Sequence, residues 1–146
     1  MLVLAESTLT LGHSAGPEID QGALLRVLGE MPWFPTAFLD DRYVTWTSVD
    51  GRQAEAKLRV NGREVAGVFA VGEDGLLETF SAVRYRDLGG GKSVLTPWSG
   101  RYGDYREVDG LLVPHEVVVS WRVGGEDIAY ARFLVERLEF DAAAPF

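Results

Sequence analysis

Arg26-Val-Leu-Gly-Glu30-Met-Pro32-Trp33-Phe34-Pro35 is the stretch on which the fold turns. Upstream of it, Ile19, Ala23, Leu24, Val27, Leu28 and Met31 recur at steps of three and four, the period of one buried helical face. Pro17 sits at the favoured first helical position, and Glu18 and Asp20 lie near the positive end of the helix dipole. The spacing predicts a helix over 17–31, stopped by Pro32, with Ile19, Val27 and Leu28 toward a sheet. Gly22 and Gly29 leave a low track on that helix where a strand can approach.

Downstream of Pro35 the period changes from helical to two. In 54–60, Ala54, Ala56, Leu58 and Val60 fall on one face and Glu55, Lys57 and Arg59 on the other. His115, Val117, Val119, Trp121 and Val123 alternate in the same way with Glu116, Val118, Ser120 and Arg122. Asp50-Gly51, Asn61-Gly62, Asp109-Gly110 and Gly124-Gly125 are hairpin signals. With breaks at 73–75, 89–91 and Ser99-Gly100, they divide 42–140 into strands over 42–49, 54–60, 64–71, 76–86, 93–98, 101–107, 111–123 and 127–140. Residues 2–11 read as a further strand before the helix, and 141–146 as a loose tail. Tight turns make neighbours antiparallel, and a twisted meander of this length curls. The expected fold is α+β: a curved antiparallel sheet, an incomplete barrel of about seven to eight strands, packed on one main helix in a single domain, 1–146.

Composition narrows function by exclusion. The absence of cysteine removes disulfides, thiolate metal sites and cysteine nucleophiles. A net charge of −8 repels phosphate backbones, so no nucleic-acid partner is expected. No apolar run approaches the roughly 18 residues of a membrane span. Met1–Glu6 lacks the basic flank and apolar core of a signal peptide, so a cytoplasmic location is expected. There is no G-x-S-x-G elbow and no phosphate loop; Gly89-Gly-Gly91 reads as a hairpin tip. No cofactor is implied.

The candidate site residues are aromatic and basic. Trp33, Trp46, Trp98 and Trp121 are many for 146 residues, and each has an N–H that needs a partner when buried. They either pack the core or line a cavity. Trp33, with Phe34 beside it, and Trp98 adjoin prolines in segments read as irregular, which suits a pocket rim; the same rings alternatively close the core or a homodimer interface. Arg84 and Arg86 share one strand face, as do Tyr130 and Arg132, and an arginine fork suits a carboxylate or phosphate headgroup. Simple pairing with acidic neighbours is the plainer explanation. Glu30, a carboxylate at the wrong end of a helix, needs a compensating donor, expected from Arg84, Arg86 or Arg132. His13 reads as exposed and His115 as a surface or sheet-end residue, although His115 is the one side chain suited to proton transfer. No catalytic residue and no metal site is assigned.

Several islands, in order and spacing, carry a family resemblance: Arg26, Leu28, Gly29, Glu30, Pro32, Trp33 and Pro35; then Trp46, Arg84-Tyr-Arg86 and Pro97-Trp98-Ser-Gly100; then Tyr105, Gly110, Pro114, Glu116, Trp121 and Tyr130-Ala-Arg132. The chain resembles an uncharacterised bacterial family of unknown function whose members look like the outer-membrane lipoprotein carriers. Those wrap an incomplete barrel around helices and bind acyl chains. The resemblance implies that fold and that class of cavity; with the aromatic and basic residues above, the expected function is a non-catalytic module that binds an apolar or amphipathic, lipid-like molecule through Trp33, Phe34, Trp46, Trp98, Trp121, Tyr130, Arg84, Arg86, Arg132 and Glu30. The alternatives are a small enzyme using His115, and a purely structural or oligomerisation domain.

Overall fold

The computed structural model describes residues 16–140, so the strand expected over 2–11 and the tail 141–146 lie outside the described residues. Helix α1 spans Pro17–Glu30 and passes into 3₁₀ turns at Met31–Trp33 and Pro35–Leu39. Strands follow as β1 Val44–Ser48, β2 Gln53–Val60, β3 Arg63–Val71, β4 Leu77–Gly89, β5 Lys92–Val108, β6 Leu111–Val123 and β7 Glu126–Leu134. They form one antiparallel sheet in sequence order, open at β1 and β7 rather than closed into a barrel. Asn61-Gly62, Asp109-Gly110 and Gly124-Gly125 all take positive φ, the mirror-image turn that matches strand twist. The connection at Asp50-Gly51 is different: neither residue has positive φ, and the Asp50 carboxylate accepts the Arg52 N–H instead.

The two strands expected over 93–98 and 101–107 are one continuous strand of 17 residues. Ser99-Gly100 does not turn; Gly100 is extended and pairs with Val119 while Ser99 pairs with Ser120. The break signal was misleading because a glycine inside a strand also serves where a neighbouring surface must stay open. The last strand ends at Leu134 rather than near 140.

Helix α1 occupies a parting in the sheet. β3 and β4 pair only between Val68–Val71 and Leu77–Ser81. Past Ser81, β4 runs on beside β5 alone, and α1 packs against both β3 and β4. Gln21 replaces the missing ladder: its amide donates to the Val83 carbonyl at 3.1 Å and its carbonyl accepts the Tyr85 N–H at 3.2 Å. Asp20 pairs with Arg63 and Glu18 accepts from Ser93, tying the first turn to both sides of the parting.

The face turned to the sheet is narrower than the sequence suggested, and rotated. Leu28 is fully buried as expected, but Leu25, at 1% exposure, is its partner. Ile19 and Val27 are 44% and 47% exposed and do not face the sheet. The low track is real. A Cβ on Gly22 would lie 3.2 Å from Arg84 Nε, and one on Gly29 would lie 3.3 Å from Phe80 Cδ1. Close approach along these two glycines turns Leu25 and Leu28 inward and carries the flanking residues out. The covered side of the sheet holds Ala56 and Leu58, as their alternation predicted, with Phe69, Phe80 and Val113.

Two stability measurements check this packing. In urea unfolding, Leu25→Ala is expected to cost about 2–5 kcal/mol, whereas Val27→Ala stays within about 0.5 kcal/mol, as for other surface changes. Gly67→Ala is expected to cost about 1–3 kcal/mol, because the added methyl would overlap the Phe80 ring.

Candidate functional site

Below the C-terminal half of α1 lies a cavity of about 300 Å³. Its roof is Arg26, Gly29 and Glu30 from the helix and Trp33 from the 3₁₀ turn; its floor and walls are Phe80, Arg84, Trp98, Gly100, Tyr102, Val117, Val119, Tyr130 and Phe133. The floor is open because Gly100 contributes no side chain: a Cβ there would meet only Val117, at 3.8 Å. Phe80 and Trp98 meet edge to face at 5.8 Å, and Trp33 meets Phe133 likewise at 6.4 Å. Trp33 and Trp98 are each 6% exposed, so they wall the cavity from inside the core rather than stand at a rim. Trp98 lies in regular β5, not in an irregular segment; Pro97 is accommodated one position before the first β5–β6 pair, Trp98 with Trp121. The Trp33 indole donates to the Pro114 carbonyl at 3.0 Å.

No sheet arginine holds Glu30. Arg26, one helical turn back, pairs with it at 2.6 Å. Arg86 points its Nε at Thr96 Oγ1, 3.4 Å away, and Arg132 forks onto Glu116 at 2.9 and 3.1 Å. The helix end is served differently: the Tyr102 hydroxyl donates to the Gly29 carbonyl at 2.6 Å, satisfying one of the carbonyls a helix C-terminus leaves unpaired. Burial raises the Tyr102 pKa well above the usual tyrosine value, with the charges of Tyr105 and Glu30 adding to it.

Arg84 is the unusual group. Its guanidinium carbon lies 4.9 Å from the Trp98 ring centre and 5.9 Å from that of Trp121, in cation–π geometry. It also lies close to Gly22, where a Cβ would stand 3.2 Å from its Nε. Its Nε is buried without a hydrogen-bond partner, and no carboxylate among the described residues pairs with it. Burial lowers its pKa from the ordinary arginine value; the Tyr130 hydroxyl opposes this and Arg26 adds to it.

Tyr130 reaches this group through a bulge. Val119 pairs with Ala131 and Ser120 with Ala129, so Tyr130 is an extra residue in β7. Its ring stacks on Trp121 at 5.6 Å, and its hydroxyl accepts the Trp98 indole N–H at 2.8 Å. The same bulge separates it from Arg132, which sits opposite Val118 on the other face. The expectation that Tyr130 and Arg132 share a face fails for that reason.

Of the sequence candidates, Trp33, Trp98, Tyr130, Arg84 and Glu30 meet at the cavity. Trp121 backs it through its stacking on Tyr130. Phe34, Trp46, Arg86 and Arg132 do not line it. Trp46 packs instead on Phe38 and Phe69 and donates to the Phe38 carbonyl at 3.0 Å. His115 is 4% exposed and not a surface residue, since it shares the covered face with Val113 and Val117. Its Nδ1 lies 3.0 Å from the Val113 carbonyl, and it does not line the cavity. Sequence reasoning missed Phe80, Gly100, Tyr102 and Phe133; alternation from Trp98 through Gly100 to Tyr102 was the available signal for two of them. Among the described residues, no group of three or more His, Asp or Glu is placed to hold a metal, and no helix is long and apolar enough to cross a membrane.

The chain belongs to a family of unknown function (DUF6544), which matches residues 1–133. No curated protein and no solved structure matches it.

Removing the Tyr102 hydroxyl tests the helix-end contact. Tyr102→Phe leaves the Gly29 carbonyl without its donor and is expected to cost about 1–3 kcal/mol in denaturant unfolding. Because the folded pKa is raised, the tyrosine's contribution to stability is complete below about pH 10, the unfolded value, and is lost as pH climbs above it. Stability measured across that alkaline range is expected to fall less steeply in Tyr102→Phe than in the parent.

Proposed function

We propose that the chain is a non-catalytic module that takes an apolar or amphipathic, lipid-like small molecule into the cavity beneath α1. The observation that carries this is the cavity itself. At about 300 Å³ it stands at the lower end of ligand pockets, which run from about 300 to 1,000 Å³. Its lining is Trp33, Phe80, Trp98, Val117, Val119 and Phe133, with Arg26, Glu30, Arg84, Tyr102 and Tyr130 as the polar groups. That composition favours an apolar body with one polar end. The likeness of the family's members to outer-membrane lipoprotein carriers, expected from the sequence, would favour the same class of ligand.

Binding is favoured over catalysis by how the ionisable lining is engaged. Arg26 and Glu30 are closed on each other, and the Tyr102 hydroxyl is committed to the Gly29 carbonyl with its pKa raised. Neither arrangement leaves a base poised near neutrality. His115, the proton-transfer candidate, lies outside the lining.

Gly100→Leu tests this reading. The side chain would project into the cavity, where the Gly100 Cβ position meets only Val117 at 3.8 Å. The parent protein is expected to bind a hydrophobic fluorescent dye saturably, and Gly100→Leu to keep its melting transition while losing the dye response. Undiminished dye binding by a folded Gly100→Leu would show that the dye sits elsewhere and that this cavity is not the site.

A further inference from the structure

We infer that the ligand carries a single anionic carboxylate, received by Arg84 and Tyr130, with its apolar tail running along Phe80, Val117 and Phe133. This deepens the binding reading of the previous subsection and rests on it.

The argument starts from an unpaired charge. Arg26 and Glu30 neutralise one another at 2.6 Å, which leaves the Arg84 guanidinium as the one uncompensated charge among the described residues that line the cavity. It is positive in a chain of net charge −8, where acidic partners are plentiful, yet none among the described residues pairs with it. Arg84 is half-buried with its Nε enclosed, and a charge drawn out of water is costly unless it is paired and hydrogen-bonded. The missing partner is therefore one negative charge at this point.

A second observation fixes the shape of that partner. The Tyr130 oxygen accepts from the Trp98 indole at 2.8 Å, so its own O–H remains to be donated. Among the described residues it has no acceptor. Arg84 and Tyr130 are hydrogen-bonding neighbours in the cavity lining, so a planar fork and a hydroxyl with a proton to donate stand side by side. A carboxylate, with two oxygens and acceptors only, satisfies both. A phosphate monoester brings about −1.5 to −2 charges and would leave an excess negative charge in an apolar cavity.

The geometry is held before any ligand arrives. Trp98 and Trp121 hold the guanidinium by cation–π contact, and Gly22, with no side chain, lets it lie close against the helix. The tail has apolar wall to run along, since Phe80, Val117, Val119 and Phe133 all line the cavity. One polar end and one apolar end then describe a linear monocarboxylate.

Titrations with decanoate, decanol and decyl phosphate, followed by tryptophan fluorescence and calorimetry, test this. The parent protein is expected to bind decanoate about tenfold or more tightly than decanol, a preference of the size expected for a charge-assisted hydrogen bond. Arg84→Met is expected to abolish the preference while keeping decanol binding, and Tyr130→Phe to reduce it. The comparison of ligands on the parent protein does not depend on either variant folding. Equal affinity for decanoate and decanol overturns the carboxylate assignment and leaves the cavity reading standing. Tighter binding of decyl phosphate than of decanoate overturns the single-charge assignment. Binding of none of the three overturns both this inference and the reading on which it rests.

Discussion

The seating of Phe80 between two glycines is the constraint on which the rest of the structure depends. A Cβ on Gly67 would fall 2.2 Å from the Phe80 ring, a distance that no side chain tolerates, and one on Gly29 would fall 3.3 Å from it. The ring thus lies over a bare strand and under a bare helix, and it is fully buried. This contact sets how closely α1 approaches the sheet. With the helix end fixed there, Tyr102 can reach the Gly29 carbonyl and Trp98 can meet Phe80 edge-on. It also explains the cavity. Helix and sheet are in contact at Phe80, but at Gly100 the sheet offers no side chain to meet the helix above. Interiors normally close such gaps, so this one follows from a glycine placed where a larger residue would fit.

The parting of β3 and β4 gives α1 a second task. A sheet that loses pairing exposes backbone groups that must find other partners. Gln21 supplies both a donor and an acceptor to β4 at the place where β3 leaves it. The helix is therefore part of the hydrogen-bonding scheme of the sheet as well as its cover. The side chains that fix its first turn, Glu18 and Asp20, are the ones that dipole arguments alone would have left in solvent.

What the sequence made legible was periodic. The helix over 17–31 was placed to within a residue, and most strands followed from alternation and from Asn-Gly, Asp-Gly and Gly-Gly turns. Ala56 and Leu58 on the covered face came from the same alternation. What stayed hidden depended on departures from period. Gly100 reads as a turn in sequence and is a strand floor in space, so one long strand looked like two. The bulge at Tyr130 shifts one residue and reverses the face of everything beyond it, which period two cannot foresee. The helix face was misjudged because periodicity gives its width but not its rotation; Gly22 and Gly29 decide that, by where they let Arg84 and Phe80 come close. The pairing of Glu30 with a sheet arginine does not occur among the described residues, because Arg26, one turn back on its own helix, is within reach at 2.6 Å.

Arg84 is the residue that stability alone does not explain. Its contacts with Trp98 and Trp121 offset part of its desolvation, since a cation over an aromatic face contributes about 0.5–2 kcal/mol. An unsatisfied buried polar atom costs about 1–3 kcal/mol, so the cation–π contacts at best offset what the enclosed Nε of this half-buried side chain loses. Even properly paired buried ions are often replaced by apolar residues of similar size with no loss of stability. A methionine here would fill the same slot against Gly22 without the penalty. The guanidinium is thus held by two indoles beside a bare helix backbone without a charge partner among the described residues, and on the proposed reading that partner is the ligand's carboxylate.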